Sequence, residues 1–157
     1  MEILLRNAPV SVLDVPHLWA DWTRTVLAEA DEVVVVAVPD LANLRNAKNM
    51  FDSFKKIRPN DKTPHLVLNQ VGMPKRPEIS PGDFCDSLEV EPVAIIPFDA
   101  VLFGNAANSG RMIAETDRKS PTAEIFSQLA HLVTGRTTAK KPKKGGLGKM
   151  LGMLGRK

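Results

Sequence analysis

Glu32-Val33-Val34-Val35-Val36-Ala37-Val38-Pro39-Asp40 is the stretch that decides the fold. From Val33 to Val38 every residue is apolar and nearly all are β-branched. Such a run has no polar face, so it reads as a strand buried on both sides, as in a parallel sheet. Asp40 can cap a helix, and Leu41, Leu44, Ala47, Phe51 and Phe54 give that helix an apolar stripe. Pro59 and Pro64 bracket the loop that ends it. Downstream, His65 to Val71 is a second apolar run, and Gly72 to Pro77 is a turn-rich break. Ser80 and Pro81 read as an N-cap and first helical position, with Asp83 in the first turn, for a helix running to about Leu88. Val93 to Pro97 reads as the last strand. Ser120, Pro121 and Glu124 start a further helix through Ile125, Leu129, Leu132 and Val133, with Gly135 as its C-cap. Upstream, Val10 to Asp14 reads as a short strand ending in a carboxylate. His17 to Ala30 reads as a helix carrying Leu18, Trp19, Trp22, Val26 and Leu27.

Strands alternating with helices imply right-handed βαβ crossovers and a sheet covered on both faces. The expected fold is α/β: a partial doubly wound parallel sheet of about four strands in residues 1–135, followed by a linker over 136–146 and a tail over 147–157. Ligands on open parallel sheets bind beyond the carboxyl ends of the strands. The candidate positions are therefore Asp14, Pro39-Asp40, Asn69 and Pro97-Phe98-Asp99.

Composition narrows the function classes. The 157 residues are 43% hydrophobic and 25% charged, which is ordinary globular usage. The single cysteine, Cys85, excludes an intrachain disulfide framework. No stretch approaches the roughly 18 consecutive apolar residues of a membrane span. The N-terminus does not read as a secretory signal, so a cytoplasmic location is expected. His17, His65 and His131 share no metal-ligand spacing with each other or with Cys85, so no direct metal site is expected. Trp19 and Trp22 lie three apart and read as core or interface residues.

The net charge of +3 conceals a division. Eight basic residues and no acidic one lie from Arg136 onward, leaving 13 basic and 18 acidic groups, a net of −5, on the first 135 residues. Residues Thr137 to Gly146 form a Lys/Pro/Gly linker. Beyond it, Leu147, Met150, Leu151 and Leu154 fall at i, i+3, i+4 and i+7, one helical face, with Lys149, Arg156 and Lys157 elsewhere. Gly148, Gly152 and Gly155 each cost about 1 kcal/mol against alanine in a helix, so winding would need an apolar or anionic surface. An anionic membrane, a protein partner and a solvated tail are the three readings of this segment; nucleic acid is not the expected partner.

Five segments, in order, resemble the CpaE/TadZ pilus-assembly branch of the MinD/ParA-type ATPases. They are Asp14-Val15-Pro16-His17-Leu18-Trp19; Ala30 through Val36 with Val38-Pro39-Asp40-Leu41-Ala42-Asn43-Leu44-Arg45-Asn46-Ala47; Val67-Leu68-Asn69-Gln70-Val71; Ile95-Ile96-Pro97-Phe98-Asp99; and Ala106-Ala107-Asn108-Ser109-Gly110. The resemblance implies a pilus assembly or localisation factor with an ATPase fold at the cytoplasmic face of the inner membrane. Its partners would be pilus-machinery proteins and a second copy of the chain, and ATP and magnesium would be the cofactors of the parent family. Asp14 would lie on the magnesium and water side, Asn69 at the adenine edge, and Pro97, Phe98 and Asp99 along the base. Plainer roles also fit these residues: Asp14 as a cap, Asn69 as a turn residue, and Pro97-Phe98-Asp99 as a strand-to-helix turn. The tail is similar to the membrane-targeting tail of MinD. The family's glycine-rich phosphate loop precedes the position of Asp14, and no such loop is read in this sequence. Gly145-Gly146-Leu147-Gly148-Lys149 follows no strand and has no hydroxyl residue after its lysine. The chain is therefore expected to bind nucleotide weakly and to be inactive alone. A MinD/ParA-like ATPase completed by further sequence, or a DNA-associated partition protein, are the alternatives.

Overall fold

The computed structural model describes residues 8–16 and 20–135. Three parallel strands form the sheet in the order β1-β2-β3: β1 Val34–Ala37, β2 His65–Val71 and β3 Pro92–Pro97. Among the described residues six helices join and cover them: α1 Asp21–Glu29, α2 Leu41–Ile57, α3 Pro81–Leu88, α4 Ala100–Ser109, α5 Ile113–Thr116 and α6 Pro121–Val133.

The central strand shows why its sequence is apolar throughout. Leu66 and Leu68 face one side and pack with Val35, Ala37, Ala47, Phe51, Phe84, Cys85 and Leu88, so α2 and α3 cover that face. Val67 faces the other side with Ala94 and Ile96, under Phe103 of α4 and Ile125 and Leu129 of α6. Leu66, Leu68 and Phe84 are fully enclosed. Burying side chains of this size contributes about 1.5–3 kcal/mol each, so the sheet is held chiefly by β2 and its two layers.

Caps fix where the helices begin. Asp40 accepts from the Asn43 N–H at 2.8 Å to start α2. Ser80 accepts from Asp83 N–H at 3.1 Å for α3, and Ser120 from Ala123 N–H at 3.1 Å for α6, each with proline in the first turn. Glu115 reaches back to the Met112 N–H at 2.9 Å to start the short α5. At the amino ends of the strands, Arg58 donates to the Leu27 and Ala30 carbonyls and pairs with Asp61, tying the end of α1 to the end of α2. His65 and Glu32 meet at 3.0 Å across the starts of β2 and β1.

Two expectations need correction. The run from Val33 to Val38 is not a strand buried on both faces: β1 covers only Val34–Ala37, stands at the end of the strand order among the described residues, and leaves Val36 59% exposed. Val10–Asp14 is not a strand: residues 10–14 join no ladder, and Val12 is 87% exposed. Its apolar alternation has no neighbouring strand among the described residues, and a strand without a partner does not form. The sheet accordingly has three strands among the described residues, where about four were expected. Trp22 is half exposed on α1, which of its two readings leaves the interface one; α1 buries Thr23 and Leu27. His17, Leu18 and Trp19, and the whole of the linker and tail, lie outside the described residues.

Candidate functional site

The carboxyl ends of the strands bring three loops together. Pro39-Asp40 follows β1, residues 69–80 close β2 and lead to α3, and Phe98-Asp99 follows β3. Two backbone bonds lock the loops: Ile79 N–H donates to Pro39 O at 2.9 Å, and Phe98 N–H donates to Val71 O at 2.8 Å. This rim collects Asp40, Asn69, Pro97, Phe98 and Asp99. Asp14 lies outside the sheet, exposed, in a stretch with no helix or strand.

The chain turns sharply at Asn69-Gln70. Gln70 has φ +55°, the left-handed region, and the pairing of β2 with β3 is irregular between Leu68 and Val71. Asn69 supports that conformation, because its Oδ1 accepts the Gln70 N–H at 2.8 Å. The side-chain amide of Asn69, half buried, still has an NH2 group with two donor hydrogens.

The loop beyond it is built on Arg76 and Glu78. The Glu78 carboxylate accepts from Gly72 N–H at 2.9 Å and Met73 N–H at 3.1 Å, and pairs with Arg76. Arg76 also donates to the Gln70 carbonyl and, at 3.1 Å, to Gln70 Oε1. The Gly72 N–H, then Arg76 and the Met73 N–H, hold the Glu78 carboxyl below the usual carboxylate range. Asp40 is also held low, first by the Asn43 N–H, then by the Asn43 side chain, with a contribution from the Arg76 charge. Sequence reading saw only a turn-rich break here. The Arg-x-Glu spacing before a helix cap was the available signal, and it says nothing of partners until the turn is folded.

The three rim helices therefore begin with acceptors of their own. Asp40 fills the N-terminus of α2, Ser80 that of α3, and Asp99 that of α4, where its Oδ1 accepts from Val101 N–H at 3.1 Å and Leu102 N–H at 2.9 Å. A helix N-terminus attracts a phosphate through unpaired N–H groups and partial positive charge. Carboxylates already occupy two of these positions, so the rim as described does not fit a triphosphate. Asp14 belongs to none of the three strands whose ends form the rim. The half-buried ring of Phe98 and the Asn69 amide do suit a planar, hydrogen-bonding ligand such as a nucleobase. Among the described residues no group of three or more His, Cys, Asp and Glu is placed to hold a metal ion. A cavity of about 220 Å³ lies at the opposite, amino end of the strands, lined by Glu32, Phe54, Arg58 and Pro64 among others. Of its polar groups, Arg58, Asp61 and Glu32 are engaged in tying α1, α2 and the strand starts together.

No family model matches the chain, and no curated protein matches it. Solved structures do. The MinD cell division protein of Aquifex aeolicus aligns with a TM-score of 0.60 and 21% identity, over 76% of this chain and 50% of that one. The MinC:MinD cell division complex from the same organism gives 0.61 and 21%, over 76% and 49%. A ParA family ATPase from Chlorobium tepidum TLS gives 0.59 and 20%, over 70% and 46%. The fold is thus that of MinD and ParA-type ATPases, a three-strand parallel portion with helices on both faces. The chain spans about half the length of these structures.

Proposed function

We propose that this chain is a pilus assembly or localisation factor of the Flp/type IV (Tad) kind, with a MinD/ParA-like fold, acting at the cytoplasmic face of the inner membrane. The observation that carries this reading is the rim. Asn69, Pro97 and Phe98, singled out by their likeness to the CpaE/TadZ branch, converge at the carboxyl edge of a sheet that has the MinD/ParA fold. The rim serves as a platform for a nucleobase or a partner protein. It does not grip phosphates, because its helix N-termini hold the chain's own acceptors. ATP and magnesium belong to the parent family, and hydrolysis would require a phosphate cradle supplied by further polypeptide. Leu147, Met150, Leu151 and Leu154 are the membrane-contacting positions, supported by Lys149, Arg156 and Lys157. Pilus-machinery proteins are the partners, and a second copy of the chain is a further one.

The test is genetic. Deleting the gene should abolish surface pili; the wild-type chain should restore them and Leu151→Asp should not. Normal piliation in the deletion strain rejects the proposal. A second reading, an ATPase completed by further sequence, draws on the same fold. It requires MgATP turnover to appear when the completing polypeptide is added.

A further inference from the structure

β3 carries two apolar side chains that its own fold leaves uncovered. Ala94 and Ile96 are buried under α4 and α6. Val93 and Ile95 point to the opposite face, the face of Leu68, where α3 covers the neighbouring strand. They are 40% and 41% exposed. Among the described residues β3 is an edge strand, so this strip opens on the margin of the sheet.

The segment leading into the strip is acidic. Asp83 and Asp86 stand on exposed positions of α3, Glu89 caps its C-terminus, and Glu91 leads into β3; all four are exposed. From Ser80 through Gly110 the chain contains no Lys, Arg or His. The local field already acts on the structure: burial, then Glu91 and Asp86, push the Cys85 thiol upward.

The complement of this surface is in the same polypeptide. Residues 136–157 hold eight basic groups and no acidic one, and Leu147, Met150, Leu151 and Leu154 are spaced i, i+3, i+4 and i+7 in the sequence. The 11 residues of 136–146 reach at most about 36–40 Å when extended. β3 is about 20 Å long and α6 packs on its back, so the linker can round the β3 edge from the end of α6. We propose that the tail seats its apolar positions on Val93 and Ile95 with its lysines against Asp86, Glu89 and Glu91, a self-docked state that withholds it from the membrane. The inference deepens the membrane reading of the tail and rests on it for its consequence, though not for the contact itself.

Carbodiimide cross-linking of the full chain tests the contact. At low salt, amide links from tail lysines should fall on Asp86, Glu89 and Glu91 several-fold more often than on Asp52, Asp61 or Glu124. They should drop in half-molar salt and in Leu151→Asp. Links spread evenly over all carboxylates overturn the proposal. Flotation with phosphatidylglycerol-containing vesicles tests the consequence. Ile95→Asp, and independently the double change Asp86→Lys with Glu91→Lys, should raise the floated fraction several-fold by freeing the tail. Flotation of the wild type that neither variant increases overturns the self-docked state. Specific cross-links with no flotation of any variant keep the contact and discard the membrane reading instead.

Discussion

Asp40 and Glu78 are the residues whose chemistry the fold most clearly uses. Each carboxylate is stabilised in its charged form by backbone N–H groups and by Arg76. A carboxyl held lower in the folded than in the unfolded chain contributes stability above its unfolded pKa. That contribution is lost as pH falls through the folded value. Urea midpoints should therefore fall as pH drops below about 4, the ordinary carboxylate range. Asp40→Asn and Glu78→Gln together should flatten that fall; an unchanged pH profile in the double variant would show that these bonds are absent. Asp40→Ala should also cost about 1 kcal/mol at neutral pH through the lost helix cap, read from the shift in urea midpoint. At this scale the sequence spoke unevenly. Asp40, Ser80 and Ser120 were legible as caps because a capping side chain acts within three residues of itself. Asp99 was legible only as a strand end, though it caps α4. Arg76 and Glu78 were not legible, because their meaning depends on Gln70 adopting a left-handed turn. Asn69 was found at the right edge, yet its Oδ1 also serves its own backbone neighbour.

Elements were legible where burial is two-sided or caps are strong. β2 runs from His65 to Val71 as expected, and α3 ends at Leu88. α4 and α5 were not foreseen: Leu102, Phe103 and Ala106 give α4 a short apolar stripe, but Gly104 and Gly110 and the small residues between them weaken the pattern. Residues 10–14 failed for the opposite reason. Their alternation is that of a strand, but strand formation needs a neighbour, which local sequence cannot report. Packing predicts the energetics of β2 and its layers. Phe84→Ala should cost about 3–5 kcal/mol in urea unfolding, since Phe84 is fully buried. Val36→Ala should cost under about 0.5 kcal/mol because Val36 is 59% exposed. Comparable losses from the two would contradict the layer assignment. The sheet edges differ as well. β3 has Pro92 and Pro97 at its ends, which obstruct strand addition, whereas β1, with the sequence Val-Val-Val-Ala, has neither proline nor charge. Val36→Lys should therefore reduce self-association in light scattering, and equal scattering would mean that the β1 edge is covered.

Across the molecule, charge is divided between two parts of one polypeptide. The first 135 residues form an acidic platform with a MinD/ParA-type sheet, and the remainder is a basic segment suited to an anionic surface. The platform presents an amide and an aromatic ring at its carboxyl rim and fills its helix N-termini with its own carboxylates. On the proposed reading, that arrangement would separate recognition of a base from retention of a phosphate. Calorimetric titration of the full chain with MgATP and with adenosine tests this separation most directly. The account predicts dissociation constants within about threefold of each other, with the triphosphate adding nothing. MgATP bound on the order of a hundredfold more tightly than adenosine would show a phosphate grip and contradict it.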